Sequence, residues 1–200
     1  MQPYKEDLKQ VYNRSADALE SKFDDNFSLV RDHAERFRDA LHGKTVLDVG
    51  SGNGTHAAFF NQLGLDVTCV DISEEMLKKC ESKGLKTLLV DLEELHFPDK
   101  TIDGIWSYAA LIHIRKENIP RVVKNFARML KPKGILGLAV KEGAKDGFES
   151  IELIPGVRRW FTFFVDYEVR NFFSPYFDII YFQRETAKGS TYLRYILRKR

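Results

Sequence analysis

A chain of 200 residues is long enough for one domain with a substantial core, and its 44% hydrophobic and 30% charged residues are those of a globular protein. A formal net charge of +2 gives no global field toward nucleic acid, and no apolar run approaches the roughly 18 residues of a membrane span. Cys69 and Cys80 are too few for a disulfide framework and wrongly spaced for a metal site, so reduced thiols, no metal and a cytoplasmic enzyme or binding protein are expected.

Residues 4–40 read as helical. Tyr4, Leu8, Val11 and Tyr12 share a face, followed by Leu19 and Phe23. SLVRDHAERFRDAL follows with Ser28 as N-cap and Gly43 beyond its end. Residues 1–43, ahead of the first strand, are expected to form a lid or an outer layer.

From residue 45 short apolar runs alternate with helical ones. TVLDV, LDVTCVD, LKTLLVD, TIDGIWSYAAL and ILGLAV read as strands. THAAFFNQL, SEEMLKKCESK and residues 118–131 read as helices. Ser73 caps the second of these, and Pro120 suits the first turn of the third. This alternation predicts an α/β fold: a doubly wound Rossmann-like sheet, mostly parallel, with helices on both faces. Residues 44–141 form its core.

After residue 141 the alternation stops. KEGAKDGFES reads as a loop and VRRWFTFF as an aromatic segment. DYEVRNFFSPYF reads as a short helix. FDIIYFQRE and STYLRYILRKR read as an antiparallel pair that ends the sheet. Arg194, Arg198, Lys199 and Arg200 read as a solvated terminus.

In GSGNG, Gly50, Gly52 and Gly54 let a ligand come closer to the backbone than a Cβ would permit. The loop joins a strand to a helix N-terminus, whose free N–H groups favour a polar or anionic ligand. The spacing is G-x-G-x-G, not the dinucleotide G-x-G-x-x-G, and Thr55 stands where the last glycine would be. Asp71 ends the second strand about 20 residues on, a distance that suits a carboxylate accepting ribose hydroxyls. The ligand reads as a nucleoside without a pyrophosphate.

VLDVGSGNG, CVDIS, LLVDLEELHFPDKTIDGIWSYAALIHI and RMLKPKGILGLAV closely resemble, in order and spacing, the motifs of class I S-adenosylmethionine-dependent methyltransferases of the small-molecule type. The likeness covers residues 45–141. It implies S-adenosylmethionine as cofactor, with S-adenosylhomocysteine as product. It also implies that Asp48 and the loop Gly50, Ser51, Gly52, Asn53 and Gly54 support the methionine part and the ribose. Asp71 would take the ribose hydroxyls, and Ile72 and Met76 would pack near the adenine. Asp91 and Leu92 would meet the adenine amino edge, and Tyr108 and Ala109 would pass the sulfonium. Two of these have a plain structural alternative: Asp91 as a turn cap and Met76 as core.

Candidate catalytic residues are His113 and Tyr108, and the role of His113 is open between general base and loop ordering. His56 reads as helix-surface packing and His96 as surface. For the acceptor, Tyr12, Arg14, Arg158, Arg159 and Phe161 are candidates. Arginine beside aromatics suits a planar or carboxylate-bearing molecule. Relatives often carry a tyrosine near Leu19, where this chain has leucine. The chain has no N/D-P-P-[YFW] tetrapeptide and no Pro-Cys pair, so nucleobase methylation is not expected. The expected function is in-line methyl transfer to a small molecule. The alternatives are a non-catalytic cofactor-binding module and, on the strength of the basic tail, an RNA methyltransferase.

Overall fold

The structure is a computed structural model that describes residues 2–150 and 158–200. Two helices come first, α1 (Pro3–Asn26) and α2 (Arg31–Ala40). The core follows: β1 (Thr45–Val49), α3 (Thr55–Gln62), β2 (Asp66–Asp71), α4 (Glu74–Ser82), β3 (Lys86–Leu89), β4 (Ile102–Tyr108), α5 (Ile119–Met129) and β5 (Leu130–Lys141). The remainder is β6 (Gly147–Ser150), β7 (Arg158–Phe161), α6 (Asp166–Phe173), β8 (Phe177–Ala187) and β9 (Ser190–Lys199).

The main sheet has the order β3-β2-β1-β4-β5-β9-β8. β3 to β5 run parallel, while β9 is antiparallel to β5 and β8 antiparallel to β9. Successive residues of the central strands feed opposite faces, the period-two consequence of the pleat. Val46, Trp106, Ile135 and Ile196 pack with α2, α3 and α4. Leu47, Ile105, Leu136 and Leu197 pack with α5 and α6. Both faces are therefore apolar and covered, which is why these strands read as continuous hydrophobic runs.

The order of strands reverses between β1 and β4. This is the switch point, at whose carboxyl edge ligands settle in an open α/β sheet. α1 lies over this edge. Ala16 and Leu19 pack on Met76, and Lys9 reaches Glu74 of α4 at 2.6 Å. Ser73 caps α4 as the sequence predicts, its Oγ accepting the Met76 N–H at 3.2 Å.

Two local expectations are corrected. Ser28 is not an N-cap: it lies in a short 3-10 turn, Phe27–Leu29, and Val30 precedes α2. KEGAKDGFES is not all loop, because its end is β6, which pairs antiparallel with β7. A strand of four residues beside glycine has too few side chains to show a period.

Candidate active site

After β1 the backbone turns through Gly50 at φ +73°. A Cβ there would stand 2.4 Å from the Ala110 Cβ, so only glycine lets the turns after β1 and β4 meet. The Gly50 and Ser51 N–H groups donate to the Val70 carbonyl at 2.8 and 3.1 Å, which ties the loop to β2. Asp71, at the end of β2, accepts the Gly52 N–H at 2.9 Å on one carboxylate oxygen and the Ser73 N–H at 2.9 Å on the other. Burial pushes its pKa up to about 6, against the pull of those amides.

Beside this loop is a cavity of about 390 Å³, which α1 helps to line. Gly50, Ser51, Gly52, Asn53, Asp71 and Ile72 line one end, joined there by Asp91 and Leu92. Tyr108, Ala109, His113, Tyr12, Arg159 and Phe161 line the other. Ala109, where the chain leaves β4, has φ +58°, a left-handed conformation unusual for a residue with a Cβ. Asp91 also caps a turn, accepting the Glu93 N–H at 3.0 Å. Its other oxygen pairs with Lys5 of α1, which also meets Glu93.

Five predicted site residues do not line this cavity. Asp48 is buried behind the loop with one oxygen unpartnered, and burial together with nearby Asp71 pushes its pKa up to about 8. Gly54 starts α3 and faces Cys80 and Leu85. Met76 is core beneath α1. Arg14 is exposed on the opposite face of α1 from the cavity, beside Lys78 and Lys79. Arg158 is exposed and lies over the Phe148 ring.

The second end is wired through α1. Arg159 Nη1 donates to the Tyr12 hydroxyl at 3.0 Å, and that hydroxyl lies 2.8 Å from His113 Nε2. His113 Nδ1 lies 2.9 Å from the Trp160 carbonyl. A carbonyl only accepts, so Nδ1 carries the proton and Nε2 accepts the Tyr12 O–H. Burial holds the His113 pKa down at about 3, so the ring is neutral. Tyr108 accepts from Arg194 Nη2 at 3.1 Å, and burial raises its pKa to about 12.

Two histidine and arginine readings change. His56 is not surface packing: it lines the cavity, accepts the Trp106 indole N–H at 3.1 Å, and burial lowers its pKa to about 4. Arg194 is not a solvated tail residue. It is 2% exposed, pairs with Glu185 and lines the cavity. Lys199 donates to the Leu130 carbonyl at 2.7 Å, so the basic terminus is partly spent inside the fold. His96 is exposed.

The sequence reading missed Lys5, Lys141 and Tyr192 as lining residues. Lys141 ends β5, and a residue at the carboxyl end of a central strand was a usable signal.

The bare glycine loop, the acid one strand over and the strand-order switch point are the parts of a ligand site in a Rossmann-like fold. Residues 47–138 match the family model described as methyltransferase domain. The chain is similar over that segment, a little under half of its length, to S-adenosylmethionine-dependent methyltransferases. It is 29% identical over 140 residues to a malonyl-[acyl-carrier protein] O-methyltransferase of Pectobacterium atrosepticum, covering 68% of this chain and 53% of that one. It is also 29% identical over 138 residues to a tRNA (carboxymethyluridine(34)-5-O)-methyltransferase of Arabidopsis thaliana, covering 66% of this chain and 33% of that one. The chain thus spans a third to about half the length of these relatives. In fold it is similar to the Burkholderia thailandensis 1,6-didemethyltoxoflavin-N1-methyltransferase, solved with 1,6-didemethyltoxoflavin and S-adenosylhomocysteine. The TM-score is 0.80 at 21% identity, covering 98% of this chain and 88% of that one. Among the described residues no helix is long and apolar enough to cross a membrane.

Proposed function

We propose that this protein transfers a methyl group in line from S-adenosylmethionine to a small-molecule acceptor. The observation that carries the reading is Asp71. Its carboxylate ends β2 at the cavity wall, one strand over from a glycine loop that leaves main chain bare. The residues present fit an adenosyl group. A side chain at Gly52 would come 3.1 Å from the Phe23 ring and narrow the cradle, and Asp71 is an acceptor suited to vicinal hydroxyls.

Bound there, S-adenosylmethionine supplies a methyl group made electrophilic by its sulfonium. Asp71 would hold the ribose, and Ile72 and Leu92 would enclose the adenine beside Asp91. The turn at Tyr108 and Ala109 would pass the sulfonium. α1 covers the cavity, so Tyr12 excludes water and bounds the space for the acceptor. Arg159 and Phe161 orient the acceptor, and His113 holds Tyr12 in place. Holding the two reactants in one geometry is the main catalytic contribution, up to roughly 7–11 kcal/mol for ideal alignment.

The test is calorimetry with S-adenosylhomocysteine on wild type, Asp71→Ala and Asp71→Asn. A charged hydrogen bond is worth roughly 1.5–3 kcal/mol, so affinity should drop at least about tenfold in both variants. Unchanged affinity in folded variants would remove the reading.

A further inference from the structure

We infer that the methyl acceptor is a small organic acid, and that its own ionised oxygen takes the methyl group. The inference rests on the methyltransferase reading and names its substrate class.

The first observation is charge. The carboxylates that line the cavity, Asp71 and Asp91, both stand at the nucleoside end. The opposite end carries Lys141, Arg159 and Arg194. Arg194 is matched by Glu185. Among the described residues neither Lys141 nor Arg159 makes an ion pair, and the buried Nε of Arg159 has no hydrogen-bond partner. Lys141 is half-buried and stands 4.9 Å from the centre of the Phe161 ring; the Arg159 guanidinium stands 4.7 Å from the same ring. Two cations beside one aromatic ring with no paired carboxylate, Lys141 feeling only the exposed Glu149 from outside ion-pair distance, are costly unless an anion joins them. An Arg fork beside a Lys point charge suits a carboxylate or a phosphoryl oxyanion.

The second observation is the lack of a free base. A neutral hydroxyl or ammonium acceptor must shed a proton, which needs an available lone pair nearby. The Nε2 lone pair of His113 is taken by Tyr12, and the Nδ1 lone pair of His56 by Trp106. Tyr12 and Tyr108 each already accept from an arginine. An oxyanion needs none of them. Its lone pair forms the new O–CH₃ bond as the C–S bond breaks, and that electron pair stays on sulfur. A cationic donor and an anionic acceptor become a neutral thioether and an ester, with no proton released.

The third observation is size. About 390 Å³ is near the lower end of ligand cavities, roughly 300–1,000 Å³, and it must hold both reactants. That leaves room for a small acceptor beside the nucleoside, and the Tyr12, Tyr192 and Phe161 rings suit a flat one.

The experiment is a titration of the protein saturated with S-adenosylhomocysteine, so that the cofactor's own carboxylate is already seated. The probes are benzoate, phenylphosphonate and neutral benzamide. Both acids, or one of them, should bind at least tenfold more tightly than benzamide, and their ranking separates a carboxylate site from a phosphoryl one. Lys141→Met and Arg159→Met should each weaken acid binding about tenfold or more and leave S-adenosylhomocysteine affinity unchanged, and Arg159→Lys should recover part of the loss. Equal binding of benzamide, or no binding of either acid, overturns the inference. So does a loss confined to S-adenosylhomocysteine in the variants, which would assign these cations to the cofactor. Failure of wild type to bind S-adenosylhomocysteine at all would instead overturn the methyltransferase reading beneath it.

Discussion

The Tyr12 hydroxyl lies 2.8 Å from His113 Nε2, joining α1 to the turn after β4. The two residues are 101 positions apart in the chain. Because Arg159 donates to the same hydroxyl, three separate segments meet at one oxygen.

Tyr12→Phe removes that oxygen and leaves an arginine donor and a histidine lone pair unmatched. An unsatisfied buried group costs about 1–3 kcal/mol. At roughly 2–4 °C per kcal/mol for a chain of this size, Tm should fall by several degrees in a calorimetric scan. The scan of Arg159→Met/Tyr12→Phe should fall less than the sum of the two singles, because both remove the same contact. Strict additivity would break the three-way link.

The acidity of Asp71 predicts the pH dependence of cofactor binding. Its pKa is raised from 3.8 to about 6 in the fold, so the folded chain keeps a proton that the unfolded chain releases. This group therefore contributes stability at low pH that is lost as pH rises through about 6. Ribose binding has the opposite sign, because only the ionised carboxylate accepts two hydroxyls. Affinity for S-adenosylhomocysteine should weaken as pH falls below about 6, and Asp71→Asn should be weak at every pH with no step there. A wild-type profile that is flat between pH 5 and 7 would contradict the assignment.

Lys5 sets the position of α1 against the nucleoside end. Its ammonium is buried between Asp91 and Glu93, and Glu93 also takes Arg121 at 2.8 Å. Lys5→Met leaves Asp91 without its cation and Glu93 with Arg121 alone, a loss of up to about 3–5 kcal/mol by analogy with other broken buried pairs. Chemical denaturation should report that loss, and Lys5→Met/Glu93→Gln should regain part of it. If the double variant is no better than the single, the ion pair is not the cause.

Gly50→Ala tests the loop geometry. The left-handed φ costs roughly 1–2 kcal/mol for a residue with a Cβ, and the new methyl would meet Ala110 at 2.4 Å. S-adenosylhomocysteine binding should be lost or strongly weakened. Gly50→Ala/Ala110→Gly removes the clash but not the dihedral cost, so calorimetry should show partial recovery.

The sequence by itself determined the sheet, the glycine loop and the place of Asp71. These rest on local patterns. Apolar runs of strand length alternate with runs of helical period, and the loop residues and the strand-end acid sit at fixed offsets along one strand–turn–helix–strand unit. Asp91 and Ala109 were legible for the same reason, as residues at the carboxyl ends of successive strands.

Only the tertiary structure decided which side chains face the cavity from outside that unit. Tyr12 and Arg14 are two positions apart on a helix, about 200° around its axis, so both cannot face the cavity, and the docking of α1 chose Tyr12. Arg158 and Arg159 are neighbours on a strand and point to opposite faces. The register of β6 against β7 turned Arg159 inward. Met76 lies beneath α1 and is core, whereas Arg194, near the chain's end, is buried because β9 inserts between β5 and β8. Periodicity says which residues share a face. Which face meets the ligand is set by long-range packing, and that depends on every element at once.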